Sequence, residues 1–206
     1  NIKFHNHVEN SKTLFHQSGI VEGSIVLLST HSSVMFMYCF CGLVEIGAIP
    51  LIASKNITAM ELDYYKNNYT INYIVSDFLN GKIVVHIGDA DVYIQACNNE
   101  LFTGKQLINK YGTVILHPTS GTTGCSKLCI RTEEACIWEP VNHLQTVGFS
   151  YSKILCMLQL NHAYGFGSAF LLGLLCSSDF YIMSEVNFKK IVRILTCLLY
   201  TSDAAD

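Results

Sequence analysis

No excess of positive charge runs through this sequence. Thirteen Lys and Arg stand against sixteen Asp and Glu, a formal net charge of −3 over 206 residues. Nucleic-acid binding draws on phosphate neutralisation by Lys and Arg, so no nucleic-acid partner is expected. The chain opens on Asn1 rather than methionine, and no charged-then-apolar leader precedes its first polar segment, so a secretory signal is not expected either. A second cysteine pair is also missing. Cys125 and Cys129 are spaced C-x3-C, but neither another such pair nor a nearby histidine pair completes a four-ligand zinc set, and no metal site is predicted from these residues. Internal repeats and low-complexity segments are absent as well.

What is present is apolar. Half of the residues are hydrophobic, enough to bury a sizeable core in one large domain or two small ones. The nine cysteines are an odd number, and several (Cys39, Cys41, Cys156, Cys176) lie inside apolar runs, where a free thiol acts as a small hydrophobe. A reducing, cytoplasmic setting is predicted. Two stretches, from Val34 and from Tyr164, approach the length of a membrane span. The first carries Glu45, Gly47 and Pro50 and the second is cut by Ser177-Ser178-Asp179, so each reads as a buried helix followed by a buried strand. No stable membrane span is expected. Asn56-Ile57-Thr58 fits a glycosylation acceptor but carries no weight without a secretion signal.

Strand and helix patterns alternate along the chain. Strands are predicted at Ser24–Thr30, at Ile49–Ala53 and at Ile71–Asp77, separated by a buried helix over Ser32–Ile46 and a polar helix that Thr58 caps. Two strands follow around the turn HIGDAD between Lys82 and Ala96, then a short helix over Thr103–Lys110 and a strand over Thr113–His117. Beyond the next loop come a strand at Leu128–Arg131, a helix from Thr132 to about Thr146 with Glu133 and Glu134 in its first turn, a strand KILCMLQL, a turn NHAYGFG, a helix SAFLLGLLC and a strand FYIM. The fold class is α/β, with mostly parallel sheets and helices on both faces.

The loop between the sixth and seventh of these strands is TSGTTG, Thr119 to Gly124, with Lys127 three residues later. Consecutive backbone N–H groups freed from side chains can converge on an anion, and hydroxyls add further donors. Gly121 and Gly124 supply the backbone freedom, Ser120, Thr122 and Thr123 the hydroxyls and Lys127 the charge. The spacing is not that of G-x-x-x-x-G-K-[ST]. On composition alone a polar strand-to-strand turn fits as well.

PTSGTTGCSKLCIRT resembles the glycine-rich core motif of the adenylate-forming superfamily, the acyl-CoA synthetases, luciferases and adenylation domains, whose usual form is TSGTTGxPKGV followed by a threonine. Ser126 stands where proline is usual and Leu128 where glycine is usual, with the lysine in register. The likeness runs in family order from about Leu14 to Leu195, through the GAI turn at Gly47 and the segment LQLNHAYGFGSAFLLGLL. It implies part of the large N-terminal domain of an adenylate-forming enzyme. The function implied is ATP-dependent activation of a carboxylic acid to an acyl-adenylate with release of pyrophosphate. Thioester formation follows, with coenzyme A or a carrier protein as acceptor, and Mg²⁺ accompanies ATP.

By the same resemblance Lys127 and Thr123 are catalytic, and Thr119, Ser120, Gly121, Thr122, Thr123, Gly124 and Lys127 bind the ATP phosphates. His162, Ala163, Tyr164 and Gly165 would line the acyl pocket, although a histidine at a strand end is as often a capping or core group. Gly167 would lie beside the pocket, and helix packing explains the glycines equally well. Amino-acid-activating members carry an aspartate where Ala163 stands, so the substrate implied is a small carboxylic acid without an α-amino group. The family's adenine and magnesium motif, its ribose-binding aspartate and the second lysine of a small C-terminal domain are not found in these 206 residues. Residues 1–196 are therefore expected to be a partial N-terminal adenylation domain that does not turn over alone, with 14–77 its first βαβ region and 113–195 its glycine-loop and acyl-pocket region. Rival classes are a non-catalytic nucleotide-binding module of the same fold and a small membrane protein. The last ten residues, CLLYTSDAAD from Cys197, match in one reading frame the translation of the transposase mosaic-end adapter of shotgun DNA libraries. They are expected to be adapter read-through, against a naturally frayed polar terminus.

Overall fold

A computed structural model describes residues 2–79, 83–119, 126–148, 152–183 and 187–200. Strand β1 (Ile25–Ser29) is buried at every position. Its alternate side chains enter two cores. Val26 and Leu28 pack with Phe15, Phe36, Phe40 and Leu43, and Ile25 and Leu27 pack with Ile49, Leu51 and Tyr65. A strand apolar on both sides needs cover on both faces. Helices α1 (Ile2–Gln17) and α2 (Ser33–Glu45) cover one face, α3 (Ala59–Asn68) and α4 (Phe102–Tyr111) the other.

The remaining strands of this sheet are β2 (Ile49–Ile52), β3 (Tyr73–Ser76), β4 (Ile83–Ile87), β5 (Ala90–Ala96), β6 (Val114–Pro118) and β7 (Leu128–Thr132). Their order is β4-β5-β3-β1-β2-β6-β7. The middle four run parallel, with Ile25 opposite Ile49, Val26 opposite Tyr73 and Leu51 opposite Leu116. Antiparallel strands flank them on both sides. The expected α/β architecture with a parallel centre and helices on both faces is the one found.

Local signals fix the element ends. Ser32 caps α2 by accepting from the Met35 amide, and the Asp77 carboxylate accepts from the amides of His31 at 2.8 Å and Ser32 at 2.9 Å. Thr58 and Glu61 form a capping box at α3. Thr132 caps α5 (Glu133–Val147), which Gly148 ends in the left-handed region at φ 80°.

Beyond α5 a second sheet pairs β8 (Lys153–Cys156) in parallel with β9 (Asp179–Ile182). Here three expectations need correction. The strand written as KILCMLQL stops at Cys156, whose thiol donates to the Leu158 carbonyl, and Met157 and Leu158 are exposed. The segment NHAYGFG is not a turn: α6 (Ala163–Gly165) leads into a π-helical stretch (Phe166–Leu171) and then α7 (Leu172–Cys176). Burial of Phe166 and Phe170 drives this, with their rings 5.1 and 5.6 Å from Phe40 of α2. Finally, α1 has no counterpart in the sequence reading. It buries a narrow face through Val8, Ser11 and Phe15, and Gly42 of α2 lets it approach, since a Cβ there would lie 2.9 Å from that of Ser11.

The last helix, α8 (Phe188–Tyr200), continues across Cys197–Tyr200, the start of the segment read as adapter, whose remaining residues lie outside those described. Both apolar runs divide between helix and strand, and among the described residues no helix is long and apolar enough to cross a membrane. The eight described cysteines are free.

Asn72, only 1% exposed, ties β1 to the connection between β5 and α4. Its side chain accepts from the Ile25 amide at 2.7 Å and donates to the carbonyls of Asn98 at 3.0 Å and Glu100 at 2.7 Å. Asn72→Ala strips these groups of their partner, and at about 1–3 kcal/mol per unsatisfied buried group the unfolding free energy should fall by about 3 kcal/mol. Urea denaturation of the complete protein reads this directly, and an unchanged midpoint would contradict it.

Candidate active site

The four parallel strands end on one edge of the sheet, where open α/β folds gather ligands. A cleft of about 550 Å³ opens there. Ser54 borders it just past β2, and Glu61 and Tyr65 reach it from α3. His117, Pro118 and Thr119 enter at the end of β6, Ser126, Cys129 and Arg131 along β7 and the loop before it, and Asn161, His162 and Ala163 at the start of α6. A second cavity of about 400 Å³ shares Asn161 with it and runs toward Thr30 and Lys55.

The antiparallel β6–β7 pair carries the glycine loop as its connection. The Thr119 amide donates to the Lys127 carbonyl at 2.8 Å, so both ends of the loop are fixed to one another. Ser120, Gly121, Thr122, Thr123 and Gly124 lie outside the described residues. Lys127 is exposed and stands outside the cleft lining. Ser126, at the usual proline position, lines the cleft with Tyr65, whose phenol is pushed up chiefly by burial.

Of the residues expected at the acyl pocket, His162 and Ala163 line the cleft together with Thr119. His162 is exposed, and its Nδ1 accepts from the Tyr164 amide at 3.3 Å, which makes it the N-cap of α6. Tyr164, 63% exposed, and Gly165 are not in the lining. Gly165 is buried where a Cβ would collide with the Gln159 carbonyl, and a Cβ on Gly167 would collide with the Glu139 carboxylate. Close packing accounts for both glycines.

Sequence reasoning passed over the polar wall of the cleft. His117 is 4% exposed, faces Phe166 edge-on at 5.6 Å, and its Nε2 lies 2.9 Å from the Asn161 carbonyl. Burial pushes its pKa down, and the charges of Arg131 and His162 act in the same direction. The imidazole is therefore neutral at pH 7. Arg131 pairs with Glu139 of α5 and sets its guanidinium 5.2 Å from the centre of the Phe166 ring. The alternation of β7 held the only signal: Arg131 and Cys129 fall on the same face of the strand, opposite Ile115 and His117.

The donor set suits an anionic ligand. Hydroxyls of Thr119 and Ser126 and the Arg131 guanidinium meet in the cleft, and the loop ends are tied beside it. Magnesium bound with a nucleotide draws most of its ligands from phosphates and water and needs only one or two carboxylates from a protein. Glu61, the carboxylate in the lining, is engaged with Thr58, and no group of three His, Cys, Asp or Glu side chains gathers among the described residues.

Comparison with solved structures places the fold. O-succinylbenzoate coenzyme A synthetase (MenE) from Bacillus subtilis, in complex with AMP, superposes with a TM-score of 0.72 at 12% identity, over 94% of this chain and 52% of that one. The same enzyme with ATP and magnesium ion gives 0.71 at 14% identity, over 94% of this chain and 53% of that one. ATP-bound MatB from Rhodopseudomonas palustris gives 0.69 at 14% identity, over 92% and 41% respectively. The chain thus spans about half the length of these structures. A search of curated protein sequences gives no match. A model of the AMP-binding enzyme family matches residues 4–199, nearly the whole chain, and the protein belongs to that family.

Proposed function

We propose that this chain is a partial N-terminal domain, over residues 1–196, of an enzyme that activates a carboxylic acid with ATP. The observation that carries the reading is the meeting of Thr119, at the root of the glycine loop, with His162 and Ala163 in one cleft on the ligand-binding edge of the sheet. A substrate carboxylate oxygen attacks the α-phosphorus of ATP. The new P–O bond forms as the bond to the β-phosphate oxygen breaks, and pyrophosphate leaves with the electron pair.

Charge builds on the phosphates in that transition state, and positioned N–H, hydroxyl and ammonium donors stabilise it. Thr119, Ser120, Gly121, Thr122, Thr123 and Gly124 are assigned to the phosphates, and Lys127 and Thr123 to the transition state. Mg²⁺, when bound, would neutralise phosphate charge. Its ligands are not assigned to the described residues. His162 and Ala163 are assigned to the carboxylate end of the acid, with Tyr164 and Gly165 behind them. Ala163 offers no carboxylate for an α-amino group. Acyl transfer to coenzyme A or to a carrier protein follows in the complete enzyme, in the cytoplasm.

ATP–pyrophosphate exchange by the complete protein tests the reading. Carboxylic acids should drive it and amino acids should not; exchange driven only by an amino acid would reverse the substrate assignment. Binding of ATP without pyrophosphate release would identify a non-catalytic nucleotide module instead.

Lys127→Ala should lower adenylation by about 10² or more, the usual loss for a positioned transition-state donor. Wild-type rates in that variant would remove Lys127 from the mechanism.

Thiol labelling maps the cleft independently. Cys129 is exposed in its lining and should react with a maleimide at pH 7.5, more slowly once ATP and acid are bound. Burial pushes the Cys41 thiol up to about 12 and the Cys39 thiol up as well, so both should stay unlabelled until the protein unfolds. Equal labelling of Cys129 with and without ligands would place the ligands elsewhere.

A further inference from the structure

His117 is a buried histidine whose two ring nitrogens have unequal fates. Nε2 lies 2.9 Å from the Asn161 carbonyl, a pure acceptor, so Nε2 carries the hydrogen and donates. That leaves Nδ1 as a bare lone pair. Nδ1 is buried and has no hydrogen-bond partner among the described residues.

Such a group is costly to hold, and a leucine would fill the same space beside Phe166 without it. What leucine could not do is donate. The bond reaches across 44 residues, from the end of β6 to the residue just before His162. Strand β6 also delivers Thr119, two residues on, to the loop root. One side chain thus couples the stem of the glycine loop to the backbone turn that carries His162.

We propose that His117 is a positioning residue for the acid end of the cleft: in its neutral form it donates Nε2–H to the Asn161 carbonyl and thereby sets the turn on which His162 and Ala163 sit. The inference rests on the acid-activation reading above for its kinetic consequence. The geometry itself does not depend on that reading.

Protonation would place a hydrogen on Nδ1 with no acceptor in reach among the described residues. The resulting imidazolium would face the Arg131 guanidinium and the Cys129 thiol of β7 and His162 across the turn, while Glu139 of α5 is already committed to Arg131. Burial holds the folded pKa below the ordinary histidine value. The unfolded chain therefore takes up the proton first as pH falls. Fold stability is therefore unaffected above about pH 6.5 and falls as pH drops from there, and the arrangement itself is lost as pH passes through the lower folded value.

The test uses the complete protein and three forms of position 117. Relative to wild type, His117→Leu should lose about tenfold in kcat/KM for the acid in the exchange assay, with KM for ATP within about twofold, the scale of one lost directional hydrogen bond. His117→Gln, whose side-chain amide can donate from a similar position, should recover most of that loss. The wild type should show an acid limb in kcat/KM for the acid below about pH 6.5, and His117→Gln should lack it.

A Leu variant as active as wild type, a Gln variant as poor as Leu, or a Gln variant that keeps the acid limb would overturn the proposal. If His117→Leu does not fold, the pH profile of His117→Gln decides alone, flat in support and unchanged against. If no acid drives exchange by the wild type, the acid-activation reading fails separately, and amide hydrogen exchange over residues 161–166 decides instead. Faster exchange in Leu that Gln restores supports the positioning role; equal protection in all three forms overturns it.

Discussion

Two-sided burial of the central parallel strands is the constraint from which the rest of this structure follows. With β1 buried at all five positions, neither face of the sheet can meet water, and the chain must return after each strand with a helix on one side or the other. Parallel neighbours also force every one of these strands to end on the same edge. The loops that leave that edge are then neighbours whatever their separation in sequence. This is how the root of the glycine loop at Thr119 comes to share a cleft with Ser54, and His162 joins them from beyond β8 of the second sheet.

The edges of the sheet obey a different rule, and the contrast is instructive. Beyond β3 and β6 the chain turns antiparallel, so β6 and β7 form a hairpin whose tip is the glycine loop. A strand-to-helix loop would aim its amides along a helix axis. Here the register between His117 and Cys129 and the Thr119–Lys127 bond define the loop's base instead. Anion binding at such a tip depends on the rigidity of the two strands beneath it, and β6 is held on its inner side by β2.

Elements with strong local signals were legible in the sequence. The capping residues Thr58 and Thr132 each start the helix they announce, the buried helix read from Ser32 is α2, and the apolar runs at Ile25, Ile49 and Tyr73 are the parallel core. The opening helix was not legible, because a helix that buries chiefly Val8, Ser11 and Phe15 presents little periodic apolar signal. NHAYGFG misled for the opposite reason: glycine, histidine and asparagine are turn formers, but burial of Phe166 and Phe170 against α2 outweighs them. At the site, the motif drew attention to the loop, whereas the wall made by His117 and Arg131 arises from strand register, with Arg131 held by Glu139 of α5. Such pairings have no local signature, and a lone Arg131 in a strand gives no hint of the ring and carboxylate that receive it.

The two departures from the glycine-loop motif can now be weighed physically. Proline after the loop would fix φ and hold the lysine arm in place through the backbone alone. Serine gives up that restriction, and Ser126 lines the cleft beside Tyr65, a residue 5% exposed in the second core. Glycine at the next departure would leave the strand without a side chain to anchor it. Leu128 packs against the second core beside Leu116 and Ile57, and its backbone pairs with Pro118. Both side chains thus make contacts outside the loop where the usual residues would only set its backbone freedom. Those contacts hold the residues on either side of Lys127, and the Lys127 carbonyl is itself bound by the Thr119 amide. The stem of the lysine arm is therefore anchored from both strands, and its side chain is exposed.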